Sequence, residues 1–148
     1  MHRIACRVEG DKTYRTLMNE THPDADIGNA SDAITIAADK VSNTVDAAAI
    51  VTYTSTGGTA RRLARQRPER HILCLTQSEN TARELQMSYG VFPLYKPEMM
   101  EFEDVVKRAI KIAKKRGLAE TGERLVITAG VPFGVPGSTN TLRVAEVD

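Results

Sequence analysis

The stretch AAAIVTYTSTGGTARRLARQR, residues 47–67, decides the fold class. Residues 47–54 are apolar or β-branched and show no alternation, which is how a strand covered on both faces reads. TSTGGTA (54–60) forms a turn, and TARRLARQR (59–67) forms a helix that Pro68 stops. A buried strand that runs through a tight turn straight into a helix opens a β–α–β unit, whose strands lie parallel.

The same unit recurs downstream. HILCLTQ (71–77) is a second buried strand, ENTARELQMSYG (79–90) a helix ending at Gly90, and VFPLYK (91–96) a short third strand that Pro93 places at the sheet edge. EFEDVVKRAIKIAKKRG (101–117) is the clearest helix. Phe102, Val105, Val106, Ala109, Ile110 and Ala113 form its apolar stripe, acids open it, Lys114, Lys115 and Arg116 end it, and Gly117 closes it. ERLVITAG (123–130) is a fourth strand, VPFGVPGS (131–138) a Pro/Gly loop, and TNTLRVAEV (139–147) a fifth strand. No helix separates these last two strands, so the fifth pairs antiparallel with the fourth.

Upstream, Asn29 or Ser31 caps a helix over 31–45, in which Ala33, Ile34, Ala37, Ala38, Val41 and Val45 recur at intervals of three and four. THPDADIGN (21–29) reads as a linker. Before it, Met1–Val8 reads as a short helix, broken at Gly10-Asp11 and followed by a second helical turn. The expected organisation is a thin helical lead-in with its linker over 1–28 and one α/β domain over 29–148, with a five-stranded, mostly parallel sheet.

Composition narrows the function. Twenty basic and 19 acidic residues leave a net charge of +1, so the whole molecule offers no field for nucleic acid or anionic lipid. With no Trp and 5% aromatic residues, a base-stacking platform is not expected. Cys6 and Cys74 stand far apart without a CxxC pattern, which suggests a reducing cytoplasm; Cys74 reads as a small core residue and Cys6 as exposed. MHRIACRVEGDK does not read as a signal peptide, and no run reaches the roughly 18 apolar residues of a membrane span.

Two segments fall beyond the carboxyl ends of the strands, where ligands of parallel sheets bind. Thr54-Ser55-Thr56-Gly57-Gly58-Thr59 brings four hydroxyls and two glycines to the start of a helix. Glycines let backbone approach a ligand, hydroxyls donate to phosphate oxygens, and the helix start presents free N–H groups, so the turn reads as an uncharged phosphate cradle. A tight turn with an N-cap fits the same residues. No Lys follows the glycines, so Walker-type NTP hydrolysis is disfavoured, and no GxGxxG is present. The second segment, 131–138, contributes Gly134, Gly137 and Ser138; it reads either as a floppy surface loop or as a cover over the first.

Arg61, Arg62, Arg65, Arg67 and Arg70 make the second helix basic and read as a solvated or interface face. His2, His22 and His71 show no metal-ligand spacing, no Ser-His-Asp set or paired carboxylates can be assembled, and Tyr89, Phe92 and Tyr95 read as packing. No catalytic and no metal residue is therefore expected.

AAAIVTYTSTGGTARRLARQRP (47–68), ILCLTQSENTARELQMSYGVFPL (72–94) and GERLVITAGVPFGVPGSTNTLRV (122–144) resemble, in order, the C-terminal domain of pyruvate kinases, and MHRIACRVEGDKTY (1–14) looks like its lead-in from the catalytic barrel. The resemblance implies a three-layer α/β sandwich that regulates and assembles an enzyme transferring phosphoryl from phosphoenolpyruvate to ADP in glycolysis. It implies that Mg²⁺ and K⁺ and all catalytic groups belong to the barrel, with no cofactor in this chain. It further implies an effector phosphate at Thr54, Ser55, Thr56, Gly57 and Thr59, a sugar under 131–138, and a dimer or tetramer seam that includes the last strand.

Members activated by fructose 1,6-bisphosphate place basic residues in both loops. Here Ser55 and Gly58 occupy the first, and the second has no cation, so a monophosphate such as AMP or a sugar monophosphate is the expected effector. Two other readings stand beside this one: a free-standing α/β protein that binds a phosphorylated metabolite, and a pure oligomerisation module.

Overall fold

The computed structural model describes residues 1–20, 29–97, 101–135 and 137–148. The strands are β1 (Ala49–Tyr53), β2 (His71–Thr76), β3 (Val91–Tyr95), β4 (Arg124–Ala129) and β5 (Thr141–Glu146). They form one sheet in the order β3-β2-β1-β4-β5. The first four run parallel, and β5 is antiparallel to β4, with Val126 opposite Val144.

The helices are α1 (His2–Glu9), α2 (Lys12–Glu20), α3 (Ala30–Thr44), α4 (Gly58–Arg65), α5 (Glu79–Leu85) and α6 (Phe102–Lys115). The linker expected over 21–28 lies outside the described residues. The second helical turn expected after Gly10-Asp11 extends to a full helix, α2.

Why the strands read as unbroken apolar runs is visible in their two faces. Side chains alternate across a strand. Val51, Tyr53, Leu73, Leu75, Leu125 and Ile127 point to one face and pack with Val105, Val106, Ala109 and Ala113 of α6. Ile50, Ile72, Cys74 and Val126 point to the other, against Ala38 of α3, Ala60, Leu63 and Ala64 of α4, and Leu85 of α5. Every residue of β1 is buried, because a neighbour covers each edge and helices cover each face. The result is the expected three-layer α/β sandwich. Burial pushes the Cys74 thiol up to about 12, against a weaker opposite pull from Arg61, so it stays protonated at neutral pH.

The edges depart from this pattern. Phe92 and Tyr95, expected as packing residues, are each 46% exposed on β3, which has no partner on its outer side among the described residues. The Phe92 ring meets His71 edge-on at 5.0 Å, and Tyr89 carries the Arg67 guanidinium over its ring at 4.1 Å.

Helix ends show how local chemistry sets length. Asn29, rather than Ser31, caps α3: its side-chain oxygen accepts from Ser31 N at 3.0 Å and Asp32 N at 3.3 Å. At the end of α6, Gly117 takes φ +66, Gly117 N donates to Lys114 O, and Leu118 N donates to Ala113 O. α5 stops at Leu85 rather than near Gly90, because Gln86, Met87 and Ser88 donate three residues back and tighten the chain. α1 buries no residue, and Ile4 and Val8 are 65% and 50% exposed. Among the described residues no helix is long and apolar enough to cross a membrane.

One buried polar atom in β1 has no partner among the described residues. Thr52 Oγ1 sits at the centre of the sheet, and an unsatisfied hydroxyl there costs stability. Thr52→Val keeps the shape and removes the polar atom. It is expected to raise the unfolding free energy by about 1 kcal/mol in urea titrations; a destabilised variant would mean that the hydroxyl is satisfied after all.

Candidate functional site

The turn after β1 and the loop after β4 meet at the carboxyl end of the sheet. β1 and β4 are neighbours there, so the two segments are brought together by strand order alone.

The turn is held from within. Thr54 is buried; its amide continues the ladder to Leu75 O at 3.1 Å, and its hydroxyl accepts from Gly57 N at 3.1 Å. Gly57 takes φ +81, and a Cβ there would meet Arg61 Nη1 at 3.0 Å and Thr81 Cγ2 at 3.1 Å, so only glycine fits without strain. Thr81 of α5 donates to Ser55 O at 3.0 Å. What remains uncommitted is the amide set: the N–H groups of Ser55, Thr56, Gly58, Thr59 and Ala60 have no acceptor among the described residues. Three of these open α4, where the helix dipole favours an anion. Ser55 is half-buried and Thr56 exposed, so their hydroxyls face outward.

Thr59, expected among the phosphate donors, spends its hydroxyl elsewhere. It shares a 2.6 Å hydrogen bond with Thr139 Oγ1, both residues being buried. This bond ties the start of α4 to the end of the second loop.

That loop is tied down at both ends. Asn140 clamps its entrance: Oδ1 accepts from Val131 N at 2.9 Å, and Nδ2 donates to Val131 O at 2.6 Å. Ser138 Oγ donates to Val135 O, and Ser31 Oγ of α3 donates to Gly137 O, each at 2.7 Å. The Phe133 ring packs edge-on against Tyr53, with centroids 4.7 Å apart. Burial raises the Tyr53 phenol above its ordinary range, so it remains a neutral donor, directed at Gln77 Oε1. The space left between turn and loop is about 30 Å³, bordered by Ser55, Thr59, Gly134, Gly137 and Ser138. That is room for a water, which needs roughly 10–15 Å³, and too little for a phosphate ester.

All nine sequence-expected residues thus gather at one end of the sheet. The supporting residues were not foreseen. Arg61 donates to Thr56 O at 2.9 Å and pairs with Glu84 at 2.7 Å, so a cation borders a turn that reads as uncharged in sequence. Arg65, expected with Arg62 on a solvated or interface face, stays 52% exposed, and both arginines turn to Asp32. Its carboxylate side chain is only 4% exposed, 2.8 Å from Arg62 Nε and 3.7 Å from Arg65 Nη2. Gly58 leaves room for this: a Cβ there would lie 3.0 Å from Arg62 Nη1. The one sequence signal for this brace is the Asn-x-Ser-Asp run that opens α3.

The chain is similar to characterised proteins over nearly all its length. The family described as "Pyruvate kinase, alpha/beta domain" matches residues 32–145. A pyruvate kinase of Methylorubrum extorquens is 40% identical over 99% of this chain and 30% of its own length. One from Agrobacterium vitis is 40% identical over 99% of this chain and 31% of its own length. One from Clostridium acetobutylicum is 32% identical over 100% of this chain and 31% of its own length. The chain therefore spans about 30% of the curated relatives it matches.

Gly130 sets how close the loop can lie. A Cβ at Gly130 would sit 2.7 Å from Ser138 Oγ and 2.8 Å from Ser138 O. Gly130→Ala is expected to lift the loop end, speeding hydrogen exchange at Gly137, Ser138 and Thr139 while β1 and β2 keep their protection. Unchanged exchange at those three amides would show that the loop absorbs the methyl without moving.

Proposed function

Because the chain belongs to the pyruvate kinase alpha/beta-domain family, we propose that it is the regulatory and assembly domain of a pyruvate kinase and binds a phosphorylated effector at the Thr54–Thr59 turn. On this reading the whole enzyme moves a phosphoryl group from phosphoenolpyruvate to ADP in glycolysis, and its Mg²⁺ and K⁺ are held away from this domain. Among the described residues no group of three or more His, Cys, Asp or Glu gathers to hold a metal ion.

The observation that carries the proposal is the set of amides of Ser55, Thr56, Gly58, Thr59 and Ala60, which have no acceptor among the described residues and flank Gly57 with its positive φ at the start of α4. An anion there accepts from the amides of Gly58, Thr59 and Ala60 and from the hydroxyls of Ser55 and Thr56. Arg61 adds a nearby cation, half neutralised by Glu84. The 30 Å³ space beneath 131–138 means that the loop rides outward when a ligand enters. Movement at Gly137 is felt by α3 through Ser31, and movement at Thr139 by α4 through Thr59. These two bonds give effector binding a route into the helix layer.

A monophosphate suits this site better than a bisphosphate, because 131–138 offers no cation for a second phosphate. Calorimetric titration of the chain with AMP, glucose 6-phosphate and fructose 1,6-bisphosphate tests it. The expected order is either monophosphate tighter than the bisphosphate, with Ser55→Glu weakening capture more than tenfold through like-charge repulsion. Tighter bisphosphate binding would reject the preference, and no saturable binding of any phosphate ester would reject the effector site. Self-association has a natural seam in β5, whose outer edge is unpaired and whose Val144 is 41% exposed. A monomer at every concentration in sedimentation equilibrium would remove that half of the proposal.

A further inference from the structure

A second cavity lies at the opposite end of the sheet from the effector turn. It is about 670 Å³ and opens between α2, the last turns of α3, and residues 66–70, which lead from α4 into β2. Small-molecule sites span roughly 300–1,000 Å³, so it is of ligand size.

Its charge is unbalanced. Arg15, Lys40, Arg67 and Arg70 line it against Asp39 and Glu69. Glu69 is taken by Arg15 at 3.3 Å. Arg70 gives Nη2 to Asp46 at 2.6 Å but leaves a buried Nε with no acceptor among the described residues. Among those residues, Lys40 and Arg67 have no carboxylate partner for their charges; Arg67 instead rests on the Tyr89 ring.

Two features mark the cavity as more than a basic crease. Gln66 is only 4% exposed and lines the cavity, and its side-chain amide has no hydrogen-bond partner among the described residues. A ligand in the cavity would give that amide partners, and would also meet the buried Arg70 Nε. Arg67 holds φ +51, a conformation unusual for a residue with a side chain, and its carbonyl accepts from Arg15 Nη1 at 3.3 Å.

We propose that this cavity binds a small organic anion, its carboxylate or phosphate drawn by Lys40 and Arg67 and its other polar atoms met by Gln66 and Arg70. The site is separate from the effector turn, so both can be filled at once and each can fail alone.

The test is a ¹⁵N NMR titration of the whole chain with inorganic phosphate and, in a parallel arm, succinate, at constant ionic strength. In at least one arm, the amides of Lys40, Asn43, Gln66, Arg67 and Arg70 are expected to shift together and saturate, and the arm that saturates names the anion class. Lys40→Gln, at an exposed position that does not endanger folding, weakens that binding about threefold to fivefold. Gln66→Leu, which keeps the volume, weakens it about fivefold, and Lys107→Gln on α6 leaves it unchanged. The proposal is overturned by shifts that grow without saturating in both arms, or by saturable shifts that neither Lys40→Gln nor Gln66→Leu alters. Shifts confined to residues 55–60 would overturn it too, while supporting the effector turn.

Discussion

β1 is buried along its whole length, on both faces and both edges, and the rest of the structure follows from that. A strand so placed cannot face water, so it needs parallel neighbours on either side and helices above and below. The helices that cover it must return the chain to the same end each time. The turns that leave the strands therefore collect at one end, and the turns that enter them at the other. The Thr54–Thr59 turn and the loop after β4 stand at the first end because β1 and β4 are adjacent. Gln66 and the cations that line its cavity stand at the second.

Much of this order is written in short-range patterns. Continuous apolar runs at 49–53, 71–76 and 124–129 mark strands with two covered faces, and the stripe of Val105, Val106, Ala109 and Ala113 marks the helix that covers one of them. Pro93 marks an edge. Helix ends were legible where a single residue decides them, as at Gly117, and not where several weak preferences compete, as after Leu85. The site's braces were not legible. Thr59 and Thr139 are 80 residues apart, and Ser31 and Gly137 are 106 apart, so nothing local announces either bond. Arginines 61, 62 and 65 look alike in sequence; only their distant partners, Glu84 for Arg61 and Asp32 for Arg62 and Arg65, tell them apart.

The turn itself divides its polar groups between two duties. Thr54 and Thr59 use their hydroxyls to shape and fasten it, while the amides of Ser55, Thr56, Gly58, Thr59 and Ala60 have no acceptor among the described residues. A hydroxyl-rich sequence thus overstates the number of side-chain donors left for a ligand and understates the part played by the backbone. The pattern is consistent with a site that recognises charge and shape with few specific side chains.

Asp32 reaches beyond geometry. Its carboxylate is almost wholly withdrawn from solvent, unlike Glu84 or Asp46, which hold their arginines in the open. Dissolved ions weaken exposed pairs first and reach sheltered ones poorly. As electrolyte rises, the outer clasps of the helical layer slacken while the clasp between α3 and α4 holds. The end of the domain that carries the turn therefore keeps its alignment across a range of salinity that loosens its periphery.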